Sequence, residues 1–173
     1  LLLLTSGSEW KVAAAGAGAI GPANIDYHAE DFVGASNVMP IATSSAVIYA
    51  QDRGGRLREM KFQWQQQGYR SSDLSIMAPH LFDSYRITSM TFCRSPSAIV
   101  WATRSDGVLL GLTYVQEHEV AAWHVHDTAG AFECVSATPE GAEDVLYAIV
   151  RRTVNERTVR YIERKRTRNF GTL

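Results

Sequence analysis

The chain has 173 residues, which is enough for one domain with a sizeable hydrophobic core. Its hydrophobic content of 46% and charged content of 20% exclude an intrinsically disordered protein. A net charge of −1 excludes a global electrostatic attraction to nucleic acid or to an anionic membrane.

The first residues predict a short strand, a turn and a second strand. Residues 1–4 are four leucines, too few to span a membrane, and they lack the basic flank of a signal peptide. The chain starts without Met and shows no terminal cap or tail, so we expect a fragment of a longer chain. Its two cysteines, Cys93 and Cys134, are too few for a disulfide scaffold and are expected to be reduced and partly buried.

Residues 10–15 predict a strand, and residues 16–21 spell G-x-G-x-x-G. A dinucleotide site needs a helix to begin at this point, but Pro22 follows and no helical period appears. A small-residue loop is therefore predicted, and no cofactor is expected. Residues 24–34 are predicted to be a helical turn or a loop.

The next segments predict strands at residues 38–43 and 46–50, a turn at residues 52–55 and a strand at residues 56–64. In the last of these, Met60, Phe62 and Trp64 alternate with polar residues, which indicates a half-buried strand.

A hairpin at residues 98–114 is the strongest local signal in the chain. Two apolar runs flank Asp106 and Gly107, the dipeptide typical of a type I′ turn, whose central residues need positive φ. The runs are continuous, so we expect the hairpin to be buried on both faces.

Further strands are predicted around this hairpin and after it. They lie at residues 87–93, 120–126, 132–138, 145–151 and 158–164.

A short pattern recurs on three predicted strands: two aliphatic residues, an aromatic residue and Ala. It occurs at residues 47–50, 99–102 and 145–148. A period of about 40–50 residues with four short strands per unit is typical of propeller blades. We therefore predict that Tyr49, Trp101 and Tyr147 occupy equivalent buried positions.

The predicted fold class is all-β, with repeated four-stranded antiparallel units in a partial β-propeller and a β-sandwich as the alternative. The whole chain, residues 1–173, would be a fragment of a larger propeller-like domain. Its repeat units are predicted at residues 24–70, 71–127 and 128–166.

Three of the five histidines, His118, His124 and His126, form the main candidate metal site. A His-x-His pair on one strand face is common in metal sites, and Glu117 and Glu119 are nearby. No third ligand is fixed by spacing, however, so the same residues also fit a polar outer strand face opposite Trp123. No metal ligand is therefore assigned.

Catalytic chemistry has little support, and we predict that the protein is not an enzyme. The chain contains no G-x-S-x-G motif, and both cysteines lie in predicted strands as packed thiols. Asp26, Glu30 and Asp31 could supply a carboxylate pair for glycoside hydrolysis, but a solvated loop explains them as well.

The C-terminal segment holds eight of the 17 basic residues. Such a run contacts DNA phosphates weakly and without sequence specificity, or forms an ordinary solvated surface. The candidate contacts are Arg157, Arg160, Arg164, Lys165, Arg166 and Arg168.

Residues 71–164, a little over half the chain, resemble a family of tailed-bacteriophage tail proteins known mainly from uncharacterised prophage genes. The similar segments are residues 78–82 (APHLF), 101–114 (WATRSDGVLLGLTY), 122–126 (AWHVH), 132–136 (FECVS) and 152–164 (RTVNERTVRYIER). The resemblance implies a nozzle or packaged-DNA stabilisation component that is β-rich and propeller-like. It implies no catalytic residues.

The leading hypothesis is therefore a structural component of a phage or prophage tail that acts through protein–protein contacts. Expected partners are other tail proteins and further copies of the chain in the virion, with weak non-specific DNA contact and no membrane. The expected location is the virion, and the bacterial cytoplasm during assembly. A carbohydrate- or metal-binding β-repeat module is the alternative, followed by a hydrolase on the same scaffold.

Overall fold

The computed structural model describes residues 1–118 and 120–167 and consists almost entirely of antiparallel β-strands. Strands make up 57% of the described residues and helical turns 5%, which confirms the all-β prediction. Among the described residues, none of the helical turns has the length or the apolar character of a membrane-spanning helix. The chain divides into two compact units, Leu1–Ser84 and Tyr85–Leu173.

The first unit contains a three-stranded sheet in the order β1-β2-β3 and a four-stranded sheet in the order β4-β5-β6-β7. The strands are β1 (Leu2–Leu4), β2 (Glu9–Ala14), β3 (Ile25–Asp31), β4 (Ile41–Ala42), β5 (Ala46–Ala50), β6 (Leu57–Gln63) and β7 (Gly68–Asp73).

Strand β3 corrects the predicted turn or loop at residues 24–34. Its own sequence is largely polar, but β2 pairs with it along one edge, from Trp10↔Ala29 to Ala14↔Ile25. On β7, the Tyr69 backbone N–H donates to the Glu30 carboxylate at 2.6 Å. Strand β3 therefore belongs to the same sheet as β2 and does not pair with β4.

The predicted strand at residues 38–43 is also shorter than expected. Only Ile41 and Ala42 pair with β5. Pro40 has no backbone N–H to donate and ends the pairing on that side.

The second unit contains a four-stranded sheet in the order β11-β10-β9-β8 and a three-stranded sheet in the order β12-β13-β14. The strands are β8 (Ile87–Cys93), β9 (Ile99–Arg104), β10 (Leu109–Val115), β11 (Val120–His126), β12 (Ala131–Glu140), β13 (Glu143–Val154) and β14 (Arg157–Arg164). Sheets of three or four antiparallel strands are the units from which both propellers and sandwiches are built.

The predicted hairpin at residues 98–114 is the centre of the second unit. Every residue of β9 is buried, and most residues of β10 are buried as well, which confirms burial on both faces. Trp101 is only 2% exposed and packs in a cluster with Val135, Leu146 and Val150 from the other sheet. The two sheets of this unit therefore share one core.

The turn of this hairpin differs from the predicted type I′ turn. Of its loop residues Ser105, Asp106 and Gly107, only Gly107 has positive φ, at 88°. The Arg104 N–H donates to Val108 O, and the Gly107 N–H donates to Arg104 O, each at 2.9 Å. This is a three-residue loop with a left-handed glycine, the other common hairpin connection.

The β13–β14 hairpin has the type I′ geometry instead. Asn155 and Glu156 both have positive φ, at 49° and 62°, and Val154 pairs with Arg157 across the turn. Left-handed backbone is disfavoured for a residue with a Cβ, and asparagine tolerates it better than glutamate. The turn therefore carries its conformational cost at Glu156.

Replacing Glu156 with glycine should raise the free energy of unfolding by about 1 kcal/mol, because glycine adopts positive φ without a Cβ penalty. Urea denaturation would measure the change. Glu156→Ala is the matched control, since it removes the carboxylate but keeps the Cβ, and it should give no comparable gain. Equal stabilisation by both variants would contradict the backbone explanation.

The predicted equivalence of three aromatic residues is correct for two of them. Tyr49 on β5 and Trp101 on β9 each lie on the second strand of a four-stranded sheet and are 1% and 2% exposed. Tyr147 on β13 is only half-buried, and its hydroxyl donates to Glu140. The core of the second unit covers the other face of β13, where Leu146, Ala148 and Val150 lie.

Candidate functional site

The histidine pair on β11 contacts the core and does not form an outer polar face. His124 and His126 are half-buried, and their rings lie 5.4 Å and 5.1 Å from the Trp101 ring between centroids. Nδ1 of His124 and Nε2 of His126 are 2.8 Å apart, a hydrogen-bond distance. This corrects the interpretation of these residues as a solvated strand face.

Gly111 on β10 makes room for this arrangement. It pairs with His124 across the ladder, and a Cβ at Gly111 would lie 2.0 Å from Cε1 of the His124 ring. Only glycine therefore allows the imidazole to lie flat over β10 and reach Trp101.

His118 does not join the pair in a shared cluster. It lies exposed in the turn Gln116–His118, while Glu119 is outside the described residues. Within the described ranges, no group of three His, Cys, Asp or Glu side chains could hold a metal ion. The pair supplies two nitrogen ligands, whereas zinc sites in proteins use three or four protein ligands.

The basic run is largely compensated by carboxylates on the sheet formed by β12, β13 and β14. Each ion pair joins two different strands of that sheet. The pairs are Arg151–Glu133 (3.5 Å), Arg160–Glu133 (2.7 Å), Arg152–Glu163 (2.6 Å) and Arg164–Glu140 (2.8 Å).

These contacts hold the carboxylates in their charged form. Hydrogen bonding to Arg160 lowers the pKa of Glu133, and hydrogen bonding to Arg164 lowers the pKa of Glu140. In the same way, Arg152 lowers the pKa of Glu163. Four arginines therefore share three carboxylates within the chain, which offsets most of their charge before any phosphate approaches.

The remaining candidate DNA contacts are dispersed. Lys165 Nζ lies 5.6 Å from the Trp101 ring, Arg166 follows the last strand, and Arg168 lies outside the described residues. Arg157 alternates with Arg160 and Arg164 along β14, so it points to the opposite face. The described candidates therefore do not share one sheet face.

We expect at most weak duplex DNA binding, with a Kd no tighter than about 10⁻⁶ M at physiological salt. Fluorescence anisotropy with a labelled duplex, from about 50 to 200 mM salt, would measure it. Sequence-specific binding that survives the higher salt would contradict this prediction and indicate a regulator.

The two cysteines lie in different environments, which corrects the prediction that both are packed thiols. Cys93 is buried in the core of the second unit, and burial raises the pKa of its thiol. Cys134 is exposed. A register shift between Phe132 and Cys134 interrupts the alternation of β12 and turns the Cys134 thiol toward solvent.

A maleimide reagent at neutral pH should therefore modify Cys134 in the native protein and leave Cys93 unmodified until the protein is denatured. Mass spectrometry of peptides from the labelled protein would separate the two sites. Cys134→Ser is the control and should abolish native labelling. Native labelling at Cys93 would contradict its burial.

The acidic candidates on β3 do not converge on one site. Asp26 pairs with His28 at 2.9 Å, while Glu30 accepts a hydrogen bond from the Tyr69 backbone N–H. The Asp31 carboxylate lies 3.9 Å from Arg58. The geometry gives each carboxylate its own local partner and does not aim two of them at a common substrate position.

The glycine-rich loop connects β2 to β3, so strand leads to strand and no helix begins there. Its shape is held by Asn24, whose side chain accepts from the Gly21 N–H at 2.6 Å and donates to Ala19 O at 3.0 Å. The prediction of a small-residue loop is confirmed, and the geometry of a dinucleotide-binding motif is absent from this described segment.

An exposed aromatic cluster on the first unit was not predicted as a site. Trp64 is 81% exposed in the turn after β6, and its ring meets Phe62 edge-on at 5.0 Å between centroids. The Tyr69 ring also meets Phe62 edge-on, at 5.3 Å between centroids, and Lys11 Nζ lies 5.9 Å from the centre of the Phe62 ring. The signal available in the sequence was the run of glutamines around Trp64, which favours a turn over a continued strand.

A buried polar pair in the first unit was also missed. Glu9 on β2 and Tyr49 on β5 are 0% and 1% exposed. Burial raises the pKa of Tyr49 to about 12, so its phenol stays protonated at neutral pH. The Glu9 carboxylate accepts a hydrogen bond from the Val33 N–H at 3.2 Å. Nothing in the sequence distinguishes Glu9 from the exposed acids.

The second unit has a cleft beside Trp101, lined also by Cys93, Asp144, Leu146 and Lys165. Its volume is about 70 Å³. Sites for small organic ligands usually measure about 300–1,000 Å³, so this cleft accommodates only a few atoms.

A search against models of protein families and a search of curated proteins both find no match to this chain, so its similarity to tail proteins stays a prediction.

Proposed function

We propose that the chain is a structural component of a bacteriophage or prophage tail and acts through protein–protein contacts. One observation carries the proposal: most charged side chains of the candidate sites have a partner within the chain, while strand edges and apolar side chains face outward. Strands β11 and β14 are both sheet edges over the described residues. Val125, Tyr161 and Ile162 on them are 51%, 45% and 79% exposed.

Exposed edges and apolar side chains favour association, because both gain from contact with another chain. The separated carboxylates on β3 and the buried Cys93 thiol do not favour hydrolysis. The arginines of the β12–β14 sheet are paired with glutamates, which favours weak, non-specific contact with DNA over tight binding. The resemblance of residues 71–164 to tail proteins supports the same function.

The decisive experiment is to purify particles from the phage or induced prophage that encodes the chain and to identify their proteins by mass spectrometry. The chain should be present in tails at a fixed copy number, and deletion of its gene should give particles with defective tails. Absence from purified particles, together with normal tails after deletion, would overturn the proposal.

A second candidate function is carbohydrate binding by the Trp64 cluster. Sugar rings present apolar C–H faces that pack on exposed aromatic rings, and the neighbouring Gln63, Gln65 and Gln66 offer hydrogen-bonding amides. Screening on a glycan array would test it, with Trp64→Ala expected to abolish any binding. Tyr27→Ala is the matched control, because Tyr27 is 55% exposed on a different strand.

A further inference from the structure

We infer that β14 pairs with β14 of a second copy of this chain, antiparallel and about a two-fold axis at Arg160. The inference depends on the proposed function only in taking protein–protein contact as the chain's mode of action. It names the surface, the partner and the register of that contact.

Strand β14 is an unprotected sheet edge. It runs for 8 residues, pairs only with β13 within the described ranges, and shows no register shift in that pairing. Sheet edges are normally protected by charged side chains, especially lysine, or by a proline, a bulge or a covering element. Strand β14 contains no lysine, proline or bulge, and partners within the chain bind three of its four charged side chains. Such an edge is a template for another strand.

The backbone fixes which residues of β14 can bind a partner strand. Lys165 N–H donates to Leu146 O at 2.8 Å, so the odd-numbered residues form the hydrogen-bonded pairs with β13. The even-numbered residues point their N–H and C=O groups away from β13. These are Thr158, Arg160, Ile162 and Arg164.

If a second β14 pairs with this edge, the even-numbered residues of one copy must lie opposite the even-numbered residues of the other, because only these have free N–H and C=O groups. Every register that places an even-numbered residue opposite an odd-numbered one is therefore excluded. A two-fold axis at Arg160 satisfies this condition. It forms two pairs of Thr158 with Ile162 and one pair of Arg160 with Arg160, with about six backbone hydrogen bonds between the copies.

The side chains favour this register over its neighbours. Arg157 of each copy lies opposite Glu163 of the other, so opposite charges meet at both ends of the interface. Arg157 has no ion pair elsewhere in the described chain, and Glu163 is already bound by Arg152 at 2.6 Å. Moving the axis by one residue toward the C-terminus would instead place Arg157 opposite Lys165, and moving it by one residue the other way would place Arg157 opposite Tyr161.

Apolar residues lie between these charges. Val159 opposes Tyr161 of the second copy, and both lie on the sheet face that carries the fully buried Val150. Tyr161 is 45% exposed at the margin of that core, and the second copy would cover it. The two Arg160 side chains meet on the axis, but Glu133 binds each of them at 2.7 Å and offsets their repulsion.

Sedimentation of the full 173-residue chain tests the inference. The chain should form a dimer as its concentration rises to about 100 μM, and Ile162→Pro should weaken dimerisation by about a factor of 10 or more. The proline removes only an outward N–H, so the β13–β14 ladder is kept and circular dichroism should be unchanged. Ile162→Ala is the matched control: it keeps the N–H and should keep the dimer.

Two further variants test the charges and the register. Arg157→Glu places like charges opposite each other and should weaken the dimer about tenfold. With Cys134 changed to Ser, Arg160→Cys should form a disulfide between copies on mild oxidation, because it opposes itself. Ile162→Cys should not, because its opposite residue is Thr158.

A monomer at every concentration, or a dimer unaffected by Ile162→Pro, would overturn the inference. Cross-linking of Ile162→Cys as fast as Arg160→Cys would overturn the register. None of these results would remove the chain from tail particles, so a failure here is distinguishable from a failure of the proposed function.

Discussion

Replacing Trp101 with alanine should lower the free energy of unfolding by about 3–5 kcal/mol, because a large buried side chain is lost and a cavity remains. Trp101 is 2% exposed and contacts both sheets of the second unit as well as the rings of His124 and His126. Chemical denaturation followed by circular dichroism would measure the change, since fluorescence itself depends on the substituted residue.

Trp64→Ala is the matched control for this variant. Trp64 is the same residue type but is 81% exposed, so its loss should change stability by no more than about 0.5 kcal/mol. A cost below about 1 kcal/mol for Trp101→Ala would contradict its position at the centre of the core.

Replacing Gly107 with alanine should destabilise the protein by about 3 kcal/mol, for two separate reasons. Gly107 has a φ of 88°, which an alanine adopts only with strain. In addition, an added Cβ would lie 2.4 Å from Ala131 Cβ and 2.9 Å from Ala131 Cα. The turn would therefore have to move away from β12, where Phe132 N–H donates to Gly107 O at 2.9 Å.

Gly141→Ala separates the two reasons. Gly141 also has positive φ, at 64°, but a Cβ there meets no atom within 4 Å. It should cost only the conformational term of about 1 kcal/mol. Equal losses for both variants in thermal or urea denaturation would show that the contact with Ala131 contributes nothing.

Local signals predicted most of the strands. The continuous apolar runs around Asp106 and Gly107 were sufficient to predict β9 and β10, because strands buried on both faces are apolar along their whole length. Strand β3 was missed because its order comes from pairing with β2 and from the bond between Glu30 and Tyr69, which are distant in sequence. Pairing between residues distant in sequence does not require an apolar or alternating pattern in the strand that it stabilises, so this strand cannot be predicted from its own residues.

The candidate sites were predicted less well. The sequence shows the histidines and arginines themselves, but it does not show which residues they contact in the folded protein. The His124–His126 pair was recognised, yet its contact with Trp101 depends on Gly111, a residue on the neighbouring strand. The basic run was recognised, yet two of its neutralising acids, Glu133 and Glu140, lie on β12, more than twenty positions earlier in the chain. Exposure of Trp64 depended on where β6 ends, which is the least predictable property of a strand.

The ion pairs across β12, β13 and β14 make this sheet's response to acid unusual for an exposed surface. Because arginines lower the pKa of Glu133, Glu140 and Glu163, these carboxylates stay charged on mild acidification. Their contribution to stability is complete above the ordinary glutamate pKa and is lost as the pH falls through the lowered values. Arg151 and Arg160 lie directly opposite each other on β13 and β14, and both bind the Glu133 carboxylate. Once Glu133 is protonated, its negative charge no longer offsets the repulsion between these two arginines. Strong acid would therefore leave the arginines of this sheet without their carboxylate partners and give the sheet a positive charge.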